Sequence, residues 1–119
     1  MLTVNPPGVS PPAGGLSGTW NSLYTCDTTS GDGFSGDEVL VITQTGARIN
    51  FTNTTDGSSG SGTLVGDTVT WSARGPGYRE SGTWRITSPT TLIKDSTYFN
   101  DASAGGGGGT CRGSIHRQS

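Results

Sequence analysis

Leu16-Ser17-Gly18-Thr19-Trp20-Asn21-Ser22-Leu23-Tyr24-Thr25-Cys26 and Thr110-Cys111-Arg112-Gly113-Ser114-Ile115-His116-Arg117 lie near opposite ends of the chain, and together they decide how it closes. In an extended strand successive side chains point to opposite faces. Leu16, Trp20, Tyr24 and Cys26 therefore share one face of the first stretch, and Cys111, Gly113 and Ile115 share one face of the second. Cys26 ends its stretch and Cys111 begins its own, which is where antiparallel neighbours meet. If the two cysteines face each other, the register sets Trp20 opposite Arg117. A meander with an even number of strands leaves its first and last strands antiparallel, so pairing them removes both open edges.

The residues between supply that even number. Apolar and polar residues alternate in runs separated by turn signals. After Leu16 to Cys26 comes a polar loop over Asp27 to Gly36, then a strand from Asp37 to Thr45. Gly46 turns the chain into Ala47 to Asn53, where Ile49 and Phe51 alternate with Arg48, Asn50 and Thr52. Asp56-Gly57 is a hairpin signal. A glycine-rich strand, Gly60 to Val65, turns at Gly66-Asp67 into Thr68 to Ala73, with Val69 and Trp71 on one face. Arg74 to Glu80 reads as a loop, and Ser81 to Thr87 as a strand with Trp84 and Ile86 inward. Ser88-Pro89 leads into Thr90 to Phe99. Asn100 to Gly109, with five consecutive glycines, reads as a mobile loop before the final strand, Thr110 to His116. The expectation is an all-β, eight-stranded antiparallel up-and-down barrel. A two-sheet β-sandwich of the same strands is the alternative, although Greek-key order needs long connections and only two loops here are long.

Composition agrees with a small β-domain that needs a staple. Of 119 residues, 29% are apolar and 13% charged, 21 are glycine, and the net charge is −2. That balance is too neutral for a chain disordered by self-repulsion, and three Trp, three Tyr and three Phe supply bulky anchors. A core this thin gains from a Cys26–Cys111 bridge in an oxidising compartment, whereas two free thiols would suit a cytosolic one. Residues 1–15, rich in Pro and Gly, look like a flexible leader behind a removed signal or lipid anchor. The barrel then spans 16–117 and a short tail 118–119. A secreted, periplasmic or cell-surface location follows as an expectation. No apolar run is long enough to insert into a membrane, and no basic stripe offers itself to nucleic acid.

Leu16-Ser17-Gly18-Thr19-Trp20 resembles the Gly-x-Trp opening of the calycins, the lipocalin and avidin group of barrels. That resemblance implies a Trp20 that plugs the barrel base beneath a basic residue, Arg117 or Arg112, and the register prefers Arg117. The run Gly62-Thr63-Leu64-Val65-Gly66-Asp67-Thr68-Val69-Thr70-Trp71, with Tyr78-Arg79 and Ser81-Gly82-Thr83-Trp84, is similar to the middle of bacterial avidins. The whole layout, closing on Thr110-Cys111-Arg112-Gly113, resembles small uncharacterised bacterial lipoprotein-type barrels. Asn21-Ser22-Leu23-Tyr24 departs from the spacing of an avidin biotin site, so the resemblance does not extend to biotin.

Parity turns Trp20, Tyr24, Phe51, Trp71 and Trp84 inward. They line a cavity for a small, partly apolar or planar ligand, or they simply fill a small barrel. Arg74 and Tyr78 read as a rim, with Trp20 and Arg117 in structural roles. A filled module that contacts protein or glycan, or assembles by strand addition, is the rival; a barrel enzyme that works by positioning alone is a third reading. Catalytic and metal readings find little: His116 is the single histidine, and Asp32, Asp37 and Glu38 lack a regular calcium-loop spacing. No cofactor and no metal are expected, and a small molecule is the expected partner.

Overall fold

The computed structural model describes residues 15–28, 31 and 33–118. Residues 1–14 of the expected leader and Ser119 of the tail lie outside them. The described chain forms β1 (Gly18–Thr28), β2 (Gly33–Thr45), β3 (Arg48–Asn53), β4 (Ser59–Val65), β5 (Thr68–Gly75), β6 (Tyr78–Ser88), β7 (Thr91–Asn100) and β8 (Gly108–Arg117). Each strand pairs with the next, and β8 returns to β1 to close an antiparallel barrel. The β1–β8 register sets Cys26 against Cys111 and Trp20 against Arg117. A Cys26–Cys111 disulfide locks that seam. Closure rules out the two-layer sandwich.

Turn chemistry explains the short connections. Gly46 and Gly66, with φ of 60° and 62°, each occupy the first central position of a two-residue hairpin, as a type II′ turn requires. Pro76 and Gly77, the latter at φ 79°, turn β5 into β6.

Three expected loops are shorter than their composition suggests. Asp27 to Gly36 contains the end of β1 and the start of β2, and Gly33–Gly36 pair with Tyr24–Asp27. Arg74 to Glu80 likewise contains paired strand ends, with Gly75 opposite Tyr78. These segments extend past the apolar core toward solvent, so backbone pairing continues without an apolar face to announce it. The poly-glycine segment divides into a 3₁₀ turn at Ala102–Ala104, left-handed Gly105, Gly106 and Gly107, and strand from Gly108. A Cβ at Gly109 would lie 1.7 Å from the Asp27 carbonyl oxygen, so glycine lets the strands approach there.

The barrel is apolar inside and hydroxyl-rich outside. Leu16, Trp20, Ile42, Ile49, Val69, Ile86, Leu92 and Ile115 fill the closed end, all nearly fully buried. The Trp20 indole donates to the Leu16 carbonyl at 2.8 Å, and the Arg117 guanidinium lies 4.5 Å over the Trp20 ring. Arg117 also donates to the carbonyls of Ser17 and Gly15 at 2.9 and 2.6 Å, tying the entry of β1 across the barrel base. Outside, Ser61, Ser72, Ser81 and Thr97 form one cross-strand row, and Thr63, Thr70 and Thr83 another.

Inward aromatics sit between glycines. Trp71 has Gly62 on one side and Gly82 on the other; Tyr24 has Gly36 and Gly113. A neighbour without a side chain leaves the width an indole or phenol needs. A Cβ at Gly82 would come within 2.1 Å of the Asp95 carbonyl oxygen, a backbone atom that cannot swing away. Gly82→Ala is therefore expected to cost about 1–3 kcal/mol by overpacking. Gly33→Ala, whose nearest contact is a single carbonyl oxygen at 3.2 Å, should cost much less. Urea midpoints of the two variants check this, and equal losses would refute it.

Candidate functional site

The upper half of the barrel divides into a packed layer and an open cup. Phe51, Trp71 and Trp84 stack on one another, with ring centroids 4.8 to 5.7 Å apart. The space beside them measures only about 10 Å³, room for a single water molecule. Above this layer the cup opens to a volume of about 330 Å³, lined by Tyr24, Phe34, Tyr78 and Tyr98, the disulfide, and the charged side chains of Glu38, Asp56, Glu80 and Lys94. Phe34 meets Tyr24 and Tyr98 edge to face, at 6.4 and 6.1 Å.

Lys94 forms the floor. It is 4% exposed, an unusual burial for an ammonium, and its Nζ lies 3.0 Å from Glu80 Oε2 and 3.6 Å from Glu38 Oε1. The same ammonium lies 5.3 Å over the Tyr24 ring and 5.5 Å over the Trp71 ring, where the π-faces favour a cation. The carboxylates are held from behind: the Asn53 amide donates to Glu38 Oε2, and the Ser96 hydroxyl donates to Glu80 Oε2. On the rim, Asp56 accepts from the Ser58 amide and hydroxyl and from the Tyr78 hydroxyl.

Burial raises the Glu38 carboxyl above its ordinary value, and the Glu80 and Asp56 charges add to the rise while Lys94 and Asn53 oppose it. Asp56 is lowered, because hydrogen bonds from Ser58 and Tyr78 outweigh its partial burial. The phenols of Tyr24 and Tyr78 are raised, first by burial.

Of the residues singled out from sequence, Tyr24 and Tyr78 line the cup, while Phe51, Trp71 and Trp84 lie beneath it in the packed layer. Arg74 stands on the outer wall instead, exposed and opposite Arg79 in register. Trp20 and Arg117 sit at the closed end. Glu38 points inward and Asp37 outward, so adjacency in sequence does not join them, and Asp32 lies outside the described residues. Among the described residues no group of three His, Cys, Asp or Glu side chains is placed to hold a metal ion.

Lys94, Glu80 and Tyr98 carry a signal the sequence reading left unused. Lys94 and Tyr98 share the parity of buried Leu92, and Glu80 shares that of Trp84 and Ile86. Extending each apolar face to the end of its strand brings them inside.

These features define a closed β-barrel with one plugged end and one polar, aromatic-walled open end. Its fold is similar to that of EF1p2_mFAP2b, solved bound to DFHBI, with 22% identity, 87% of this chain and 94% of that one covered, and a TM-score of 0.59. A protein of unknown function from Nostoc punctiforme, of the DUF3598 family, aligns more distantly at 12% identity and a TM-score of 0.45, covering 87% of this chain and 47% of its own. No family model matches the sequence, and no curated protein matches it. Among the described residues no helix is long and apolar enough to cross a membrane.

Proposed function

We propose that this chain is an exported barrel that binds a small, partly apolar or planar ligand in its open end. The observation that carries the reading is the cup of about 330 Å³, walled by Tyr24, Phe34, Tyr78 and Tyr98, which falls in the range of small-molecule sites. Trp71 and Trp84 act as its packed base rather than as contact walls. EF1p2_mFAP2b holds DFHBI on a similar fold, and that likeness supports a ligand in a barrel without extending to the lining. Export is supported by the disulfide, since such bridges persist in oxidising compartments.

The test is a titration of the intact chain with DFHBI and a panel of planar compounds, followed by tryptophan emission and by melting temperature. A binder should perturb Trp71 emission through the floor and raise the melting temperature. Tyr24→Ala and Tyr98→Ala should each weaken it about tenfold, the loss of roughly one well-packed aromatic contact. No response from any compound would leave only a filled module.

One observation favours the rival reading as an interaction module. Arg74 and Arg79 face each other on the outer wall, and like charges directly opposed cost stability. They flank a trough of about 530 Å³ lined also by Phe99, Glu80 and the serines Ser59, Ser72 and Ser81, where two guanidinium groups against one carboxyl suit an acidic saccharide. If the trough serves that contact, Arg79→Ser abolishes retention on an anionic polysaccharide column while changing stability little, because relief of the like charge is offset by the lost contact of Arg79 over Phe99.

A further inference from the structure

The cup's charges do not balance. Glu38, Glu80 and Asp56 bring three carboxyl groups to its lining and Lys94 one ammonium. Lys94 is already engaged by both glutamates, and no arginine joins it among the lining residues. An incoming anion would therefore meet an acidic surround with no free cationic donor. A neutral ligand would leave the excess negative charge uncompensated in a partly desolvated site. A cation would complete the set, and the rings of Tyr24 and Trp71 already stabilise one.

Resting on the binding role proposed above, we infer that the ligand is a planar or aromatic cation, an ammonium, amidinium or guanidinium, whose charged end descends between Glu38 and Asp56 while its flat body lies against Tyr24, Phe34 and Tyr98. Lys94 then acts as a positioning residue: its ammonium lies between Glu38 and Glu80, offsets their mutual repulsion and so keeps both carboxylates at the floor. The groups facing Glu38 are Tyr24 from β1, Lys94 from β7, Glu80 from β6, and Asn53 with Asp56 from the β3–β4 hairpin. Burial and the neighbouring carboxylates raise its carboxyl above the ordinary value while Lys94 and Asn53 oppose them, and an arriving cation favours its ionised form. Affinity for the cation accordingly rises with pH through the range in which Glu38 ionises.

A matched trio tests this: benzamidine, benzamide and benzoate share a ring and nearly a shape but differ in charge. Calorimetric titration of the full chain at pH 7 should show benzamidine at least tenfold tighter than benzamide, and benzoate without measurable binding. Repeating the benzamidine titration at successively lower pH should show its affinity falling as Glu38 takes up a proton. Glu38→Gln should reduce the preference for benzamidine over benzamide to within threefold and weaken the pH dependence of benzamidine binding. Asp56→Asn gives a second, independent reduction if the first variant unfolds. Benzamide bound as tightly as benzamidine, or benzoate bound tighter, overturns the cation inference and leaves the binding role standing. Silence from all three, together with silence from the planar panel, overturns both.

Discussion

Replacing Cys26 and Cys111 together by alanine is expected to lower the unfolding free energy by roughly 4 kcal/mol. The two residues are 85 apart in sequence, so the bridge removes from the unfolded chain the freedom of a loop that spans almost the whole barrel. Against a typical domain stability of about 5–15 kcal/mol, a chain with 29% apolar residues has little else to offset such a loss. The loss should also be directional. Trp20, Arg117 and Ile115 hold the β1–β8 seam at the closed end, whereas Cys26 and Cys111 hold it at the cup, clustered with Tyr24 and Tyr98. Opening should therefore begin beside Tyr24 and Tyr98, and ligand affinity should disappear at urea concentrations where Trp20 is still buried. Urea unfolding with and without reductant, followed by tryptophan emission and by binding, measures both effects. A midpoint shift worth less than about 1 kcal/mol would mean that strand pairing alone closes the barrel.

The fold was legible because closure depends on parity and count, and both survive in a chain poor in apolar residues. Cys26, Trp20, Cys111 and Arg117 carry their register in their spacing. The glycines of β4 look like weakness in sequence, yet Gly60 and Gly62 are what Phe51 and Trp71 pack over. What remained hidden was the polar half. Apolar alternation marks only positions that must leave water, so it stops where Glu38, Glu80 and Lys94 begin, although the strands and their inward parity continue. Glu80 therefore reads as a loop residue, and Glu38 and Lys94 as strand positions with nothing to turn them inward, until their partners are known. Those partners come from β2, β6 and β7 and meet only through the barrel's curvature. Arg74 illustrates the opposite error: four residues before Tyr78 in sequence and rich in donors, it lies one position off the inward parity and faces solvent.

Lys94→Met should be the most damaging single substitution at the cup. Removing one partner of a buried ion pair leaves uncompensated charge, and such losses run to about 3–5 kcal/mol. Here two carboxylates are left facing each other above Trp71. The damage should depend on pH in a direction that the protein's own groups set. Glu38 is raised in the folded state, so its contribution to stability is fully present below its ordinary value of 4.5 and is lost as pH rises through the folded value. Asp56 is lowered, so its contribution is present above its ordinary 3.8 and is lost as pH falls through the folded value. With respect to these two groups, the parent protein gains stability from neutral pH down toward 4.5 and turns over below 3.8. Without Lys94 the Glu38 carboxyl loses the ammonium that pulled it down, so its protonated form is favoured further and the deficit of Lys94→Met shrinks on acidification. The combined variant Lys94→Met/Glu38→Gln/Glu80→Gln should recover most of the stability at neutral pH, because a neutral hydrogen-bonding set of similar volume carries no charge to desolvate. Urea midpoints at pH 4.5 and 7 for parent, single and triple variants measure this. A Lys94→Met deficit equal at both pH values, or a triple variant no more stable than the single, would show that Lys94 contributes packing over Trp71 and Tyr24 rather than charge balance.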